Sequence, residues 1–290
     1  MRYATIKDHA EQYAVEMMCR VLNVSRSGYY RWCEAKQSES AKRRMQLDVL
    51  VAKYHALHKQ KCGIRRIHKD LLEFEDLRVS FEQVRRSFHR LELTTRGTRK
   101  YKAGKPNTVK GKHAENVIAG DFSAKQPNSK WVADTTQIWT TDGWLHLAVV
   151  MDLYSRMVVG YAMSLHNNAD LVCEATRNAI KSRRPPPGLI LHTDRGSTYI
   201  SLLHQTLLSK HGIQSSMSRL GNCYDNAAME SWNGRFKVEA CYGEPIRNAR
   251  NTRKMIEEHI HYYNHWRRHS ANGLQSPHKF EQSAKLNKAV

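Results

Sequence analysis

Three carboxylates stand apart from the other acids of this chain by the company they keep. Asp134 lies inside WVADTTQIW, a stretch rich in Trp, Val, Thr and Ile that reads as a β-strand. Asp194 ends the short apolar run LILHTD, and Glu230 sits among small and apolar residues in GNCYDNAAMESWNGRFKVE, a turn leading into a helix. An acid flanked by Trp131, Val132 and Ile138 is costly to bury without a partner, and WVADTTQIW contains no Lys or Arg to pair with it. Two such acids on neighbouring strands repel each other unless a cation lies between them. Oxygen donors select hard ions, so magnesium, with manganese as a substitute, is the expected occupant. On a helix, Glu230, Asn233 and Lys237 fall at offsets of three and seven and share one face. With that face toward the sheet edge, Glu230 completes the cage. Lys237, about 10 Å further along at 1.5 Å per residue, then reaches a phosphate beside it. Taken singly, Glu230 also reads as an ordinary surface glutamate.

Positioning these groups requires strands and helices in a definite order. WVADTTQIW is followed by a turn at Thr141, Asp142 and Gly143, then by WLHLAVVMDL, apolar almost throughout as a strand covered on both faces should be. Ser155 and Arg156 turn the chain into a third strand, MVVGYAMS. NADLVCEATRNAIKS reads as helix, LILHTD as a buried strand, STYISLLHQTLLSKHG as helix and QSSMS as a short strand before the Glu230 helix. A three-strand meander followed by alternating helix and strand gives an α/β fold, a mixed sheet with helices on both faces. Asp152 in VVMDLYSR is expected to bond the turn after its strand, Asp142 belongs to the hairpin, and Asp225 with Asn226 is expected to cap the Glu230 helix.

The first 95 residues read as helix. AVEMMCRVLNVSRSGYYRW breaks near Asn23 to Ser25, and MQLDVLVAKYHALHK carries Leu47, Leu50, Val51 and Tyr54 at helical spacing. SFEQVRRSFHRLEL opens with a capping-box pattern, Ser80 and Gln83, and buries Phe81, Val84, Phe88 and Leu91 while Arg85, Arg86, His89 and Arg90 point elsewhere. Short helices with a basic last member suggest a helix-turn-helix unit contacting DNA through Arg85, Arg86 and Arg90; a helical bundle with a solvated basic face is the alternative. RGTRKYKAGKPNTVKGK has a linker's composition, basic and free of acids. The expected division is therefore a helical region at 1–95, a basic linker at 96–120 and a catalytic domain with a basic tail at 121–290.

Composition narrows the partners. The chain has 290 residues, with 47 Lys plus Arg against 27 Asp plus Glu, a net charge of +20. A folded chain so basic points to a polyanion, because cationic side chains release counterions from phosphates. Six scattered cysteines form no C-x-x-C pair, which reads as reduced thiols rather than a disulfide frame or zinc site. No apolar run is long enough to span a bilayer and MRYATIKDHAEQ has no signal core, so a cytoplasmic, nucleoid-associated protein with no membrane contact is expected. In the tail, Tyr262, Tyr263 and Trp266 alternate with Arg267, Arg268 and His269. Ile256, Ile260 and Tyr263 follow core spacing, leaving Arg267, Arg268 and His269 as expected phosphate contacts.

Between Asp134 and Asp194 lie 59 residues, and between Asp194 and Glu230 lie 35. This spacing resembles the DDE signature of retroviral-type integrases and insertion-sequence transposases. The words WVADTTQIWT, GWLHLAVVMDLYSR, HTDRGSTY, SMSRLGNCYDNAAMESWNG and YYNHWRRHSANGLQSP, with MCRVLNVSRSGYYRW and GIRRIHKDL near the start, resemble the transposase product called OrfB along nearly the whole chain. The resemblance implies a ribonuclease H-like catalytic domain and a catalytic, metal-binding triad of Asp134, Asp194 and Glu230, with Lys237 near donor-end DNA. It implies metal-dependent cleavage and strand transfer of double-stranded DNA, work with or fused to an upstream OrfA-type partner, and a homo-oligomer on DNA. Asn272, where the family has an aliphatic residue, and Leu274, in place of an aromatic, depart from the pattern in the tail. A ribonuclease H-type nuclease and a non-catalytic DNA-binding regulator are the rival readings.

Overall fold

A computed structural model describes residues 2–34, 38–96, 114–219 and 226–286. The chain divides into two compact units, Met1–Thr94 and Thr95–Val290.

The first unit is helical: α1 (Arg2–Asp8), α2 (Val15–Val21), α3 (Arg26–Glu34), α4 (Glu39–Leu57), α5 (Ile64–Phe74) and α6 (Phe81–Arg90). The break between α2 and α3 falls at Asn23, whose φ of 51° ends a helix that no β-branched or bulky residue could turn so cheaply. In α6 the capping box of Ser80 and Gln83 is present with both hydrogen bonds. Leu47, Val51 and Tyr54 of α4, Ile67 and Leu71 of α5, and Val84 and Phe88 of α6 form one buried core. Behind them His58 and Asp70, both buried, are joined at 2.9 Å.

The second unit is built on a five-stranded sheet in the order β3-β2-β1-β4-β5. Its strands are β1 (Lys130–Thr140), β2 (Gly143–Asp152), β3 (Val158–Ser164), β4 (Ile190–Thr193) and β5 (Gln214–Met217). The meander β1–β3 is antiparallel, while β4 and β5 run parallel to β1. This mixed sheet flanked by helices is the ribonuclease H-like class that the resemblance implied. Alternation divides β2 cleanly. Leu145, Leu147, Val149 and Met151 pack toward α10 (Ala227–Phe236) and α11 (Ala249–His265); Ala148 and Val150 pack toward α7 (Ala169–Arg183) and α9 (Leu202–Lys210). The near-continuous apolar run of β2 thus follows from burial on both faces. A Cβ at Gly160 of β3 would lie 2.5 Å from the Ala175 carbonyl and the Ala179 nitrogen, so α7 rests directly on this glycine.

The predicted helix after Asp194 is broken at Ser201 into α8 (Ser197–Ile200) and α9, with the Ser201 hydroxyl accepting from the His204 N–H. Asp152 bonds its turn as expected, accepting from the Asn128 and Tyr154 N–H groups at 2.8 and 2.9 Å. Asp142 does more than turn the hairpin, because it accepts from the Ala249 N–H and so caps α11. Asn226 precedes α10 but makes no side-chain cap bond, while Asp225 lies outside the described residues.

Candidate active site

Asp134 sits midway along β1, where period-two alternation turns its side chain to the face shared by Val132 and Ile138 and covered by α10. The parallel register pairs Trp131 with Leu191 and Val132 with His192. Carried on two residues, it brings Asp194, just past the end of β4, alongside Asp134. The end of β4 is fixed laterally by His192, whose ring nitrogens lie 2.9 Å from the Ser216 hydroxyl and 3.2 Å from that of Ser218. Gly196 donates its N–H to Asp194 at 3.0 Å, and a Cβ there would come within 2.9 Å of the same carboxylate oxygen. This turn therefore needs its glycine to hold the acid in place.

Helix α10 supplies the third side. Asn233 donates its amide to Asp134 Oδ2 at 2.9 Å, while the Thr135 N–H bonds Oδ1 at 2.8 Å. Asn233 was expected at DNA; the structure gives it a carboxylate instead. Its offset of three from Glu230 already put it on the right face, so that signal was present in the sequence. The same residues explain the electrostatics. Burial, then the charge of Asp194, and to a smaller extent that of Glu230, push Asp134 up to about 8 against the lowering effect of Thr135 and Asn233. Burial also raises Asp194, opposed by the Gly196 N–H, and raises Glu230. Lys237 begins a π-helical turn, Lys237–Cys241, and is half-buried. Burial lowers its pKa while Cys241 and Asp134 raise it, so it senses the site's charge.

Oxygen donors without a paired base suit a hard cation. Among the described residues no Lys or Arg forms an ion pair with Asp134, Asp194 or Glu230; the carboxylates of Asp134 and Asp194 are bonded only by the neutral Thr135, Gly196 and Asn233 donors. Among the same residues no three His, Cys, Asp or Glu side chains converge closely enough to hold one ion. Asp134 and Asp194 form the core of the cluster, and Glu230 lies on the exposed side of α10. Sequence reasoning missed Tyr199. It is 2 % exposed, its hydroxyl has no partner, and Asp134 and Asp194 both act on it after burial. Its place five residues after Asp194 marks it only once α8 is known.

The tail requires a correction. Arg267, expected at phosphates, is 3 % exposed and binds Glu239 with three hydrogen bonds of 2.8 to 3.0 Å. Arg268 is buried and donates to the Leu274 carbonyl at 2.8 Å, and His269 Nε2 lies 3.1 Å from Arg267 Nη1. Sequence alternation cannot distinguish an arginine facing solvent from one drawn inward by a buried glutamate. The tail's two departures from the family pattern have local roles. Asn272 is buried and donates to the Ser155 carbonyl at 2.7 Å, and Leu274 takes a φ of 60°. In the helical unit, Arg85 and Arg86 are exposed and paired with Glu82, while Arg90 is held by Asp48.

Two matches to the family model described as "Integrase core domain" cover residues 124–223 and 211–277. The chain is 38 % identical to the transposase InsF for insertion sequence IS3A of Escherichia coli (strain K12), covering 97 % of this chain and 98 % of that protein. It is 37 % identical to an uncharacterized 31 kDa protein of insertion element IS600 from Shigella sonnei, over 91 % of this chain and 97 % of the relative. Among solved structures, the simian T-cell lymphotropic virus intasome in complex with PP2A regulatory subunit B56 gamma matches with a TM-score of 0.47 at 15 % identity, covering 80 % of this chain and 74 % of that one. The HTLV-2 integrase catalytic core domain in complex with magnesium matches with a TM-score of 0.43 at 17 % identity, over 55 % of this chain and 99 % of the other.

Proposed function

From the premise that the chain belongs to the insertion-sequence transposases with an integrase core domain, we propose that it cuts and joins double-stranded DNA by divalent-metal-dependent phosphoryl transfer. The observation that carries this reading is the placing of Asp134 beside Asp194, with Glu230 on the facing helix: burial, then the charge of Asp194 and to a smaller extent that of Glu230, push Asp134 up to about 8 in a chain of net charge +20. Oxygen donors suit magnesium, with manganese as a substitute. Asp134 and Asp194, side by side just past the β1–β4 register, would hold it, and Glu230 would join them by closing in from the exposed side of α10. Bound there, the ions supply Lewis-acid stabilisation of the phosphoryl group and a nucleophile active at neutral pH.

The chain's own residues do the rest. The Thr135 and Gly196 N–H groups fix the carboxylate oxygens of Asp134 and Asp194, so the acids are held before substrate arrives. Asn233 holds Asp134 Oδ2 in place through a neutral donor, which adds no charge to compete with a cation. Lys237, half-buried and acted on by the charge of Asp134, is the proposed phosphate contact at the edge of the site. Arg85, Arg86 and Arg90 on α6 are the proposed duplex contacts of the helical unit; phosphates there compete with Glu82 and Asp48 for the same guanidiniums. The partners of this reading are element-end and target DNA, an OrfA-type protein or fusion, and further copies of the chain on DNA. A cytoplasmic, nucleoid-associated location follows from that substrate.

The test is strand transfer with labelled element ends and magnesium, using the chain with its upstream partner. Joined products are expected from the wild type and lost in Asp134→Asn, Asp194→Asn and Glu230→Gln. Full joining by any of these variants overturns the assignment. Cleavage of RNA in hybrids without joining would favour a ribonuclease H-type nuclease, and metal-independent binding without nicking would favour a regulator.

A further inference from the structure

Helix α10 has a second face. At 100° per residue, Ala228, Ser231, Trp232 and Arg235 point away from Glu230. They border a cavity of about 380 Å³ closed on the other side by the β2–β3 turn and the tail. Its volume lies within the range of about 300–1,000 Å³ common for small-ligand clefts. None of its lining residues is acidic, whereas Arg156, Arg235, Arg267 and His269 all border it. Arg267 is committed to Glu239, whereas among the described residues Arg156 and Arg235 form no ion pair with a carboxylate, the charge of Asp152 acting on Arg156 without bonding it. Arg156 is half-buried, and its one hydrogen bond is a long one of 3.4 Å to the Phe122 carbonyl. A desolvated guanidinium with so poor a partner favours an anion.

Two further observations agree. Trp232 is 3 % exposed, and its indole N–H has no acceptor. Asn226 makes no side-chain cap bond, and Ala227 and Ala228, the first residues of α10, border the cavity at the positive end of the helix dipole. The cavity therefore gathers donors and supplies few acceptors. Aromatic faces of Phe122 and Tyr263 line its wall.

We infer that this cavity binds the phosphate ester of a nucleotide, with Arg156 and Arg235 as charged donors, the Ser231 hydroxyl as a neutral one, and the Phe122 and Tyr263 rings beside the base. The phosphate can come from a DNA strand passing behind α10 or from a free nucleotide. Only the first source rests on the strand-transfer reading.

Titration calorimetry on the full chain in EDTA, with inorganic phosphate, dAMP and a ten-nucleotide single strand as probes, tests the site. The wild type is expected to bind dAMP one to one, and Asp134→Asn to bind it equally. Ser231→Asp and Arg235→Gln, both at exposed positions that should not perturb folding, are expected to weaken binding about tenfold or more, the loss of one charged contact. Melting curves confirm that both variants are folded. A ten-nucleotide strand bound at least tenfold more tightly than dAMP, with the advantage lost in Ser231→Asp, assigns the site to DNA; equal affinities assign it to a free nucleotide. The inference fails if neither phosphate nor dAMP binds at millimolar concentration. It also fails if Lys237→Ala removes binding while Ser231→Asp and Arg235→Gln leave it unchanged. Loss of strand transfer in a chain that still binds dAMP overturns only the catalytic reading.

Discussion

Asp134→Asn should make the protein more stable as it makes it inactive. The carboxyl is pushed up to about 8, against about 3.9 for an aspartate in an unfolded chain. A raised acid pKa means that the unfolded state gives up its proton first, so the native state loses stability as pH rises from about 4 to about 8. At about 1.36 kcal/mol per unit, the roughly three units between about 3.9 and pH 7 favour the ionised unfolded chain over the still protonated native state by on the order of 4 kcal/mol. Asp134 is partly exposed, and water reaching it should halve that figure to about 2 kcal/mol. Asparagine keeps the side-chain shape and can still meet Asn233. For a unit of this size about 2 kcal/mol corresponds to a rise in melting temperature of roughly 4–8 °C. Five of the six tryptophans lie in the catalytic unit, so its melting can be followed by their fluorescence. The gap between variant and wild type should be absent near pH 4, open toward pH 8 and shrink in the wild type's favour when magnesium is added. Equal or lower melting temperatures for Asp134→Asn across pH 5–8 would refute the view that burial, reinforced by the neighbouring carboxylates, holds Asp134 protonated.

Other consequences are more local. Arg267→Ala leaves Glu239 buried and unpaired, so a loss of about 3–5 kcal/mol in chemical denaturation is expected, largely recovered in Arg267→Met with Glu239→Leu. For His58, hydrogen bonds to Asp70 and Cys62 outweigh the opposing effect of burial and raise it to about 9. Its contribution is therefore present below about pH 6.5 and lost as pH rises through about 9, a decline in helical-unit stability that circular dichroism melts should show and His58→Gln should flatten. Gly160→Ala drives a methyl into the α7 backbone and is expected to cost about 3 kcal/mol or more, visible as loss of soluble, cooperatively melting protein.

Much of the catalytic unit was legible because its signals are local. The near-continuous apolar run WLHLAVVMD, helical spacing in Ile256, Ile260 and Tyr263, and an unpaired acid within β1 each depend on a few neighbouring residues, and the sheet and core bear out the strand and the helix. What was not legible depends on chain ends that only folding brings together. Asn272 reaches Ser155 across 117 positions and Glu239 draws Arg267 inward across 28, whereas the face of Asn233 was legible and only its Asp134 partner, 99 positions away, was not. An exposed-looking arginine becomes a core residue when a glutamate is buried opposite it, and no periodicity within the tail encodes that glutamate. The break at Ser201 was missed for a related reason, because its capping bond competes with a helical pattern that otherwise continues.

The π-helical turn beyond α10 makes that helix a beam seated along its inner face by Met229, Trp232 and Phe236 and clamped at its far end. Glu239, held by Arg267, is the clamp, and Glu230 stands nine residues away, about 13 Å at 1.5 Å per residue, near an end that Asn226 leaves uncapped. In such a beam stiffness is set at the clamp and displacement is greatest at the tip. Shortening the tail ahead of Arg267 would therefore blunt an acid that it never touches, and substitutions around residues 263–269 should be sorted with catalytic variants rather than with surface ones.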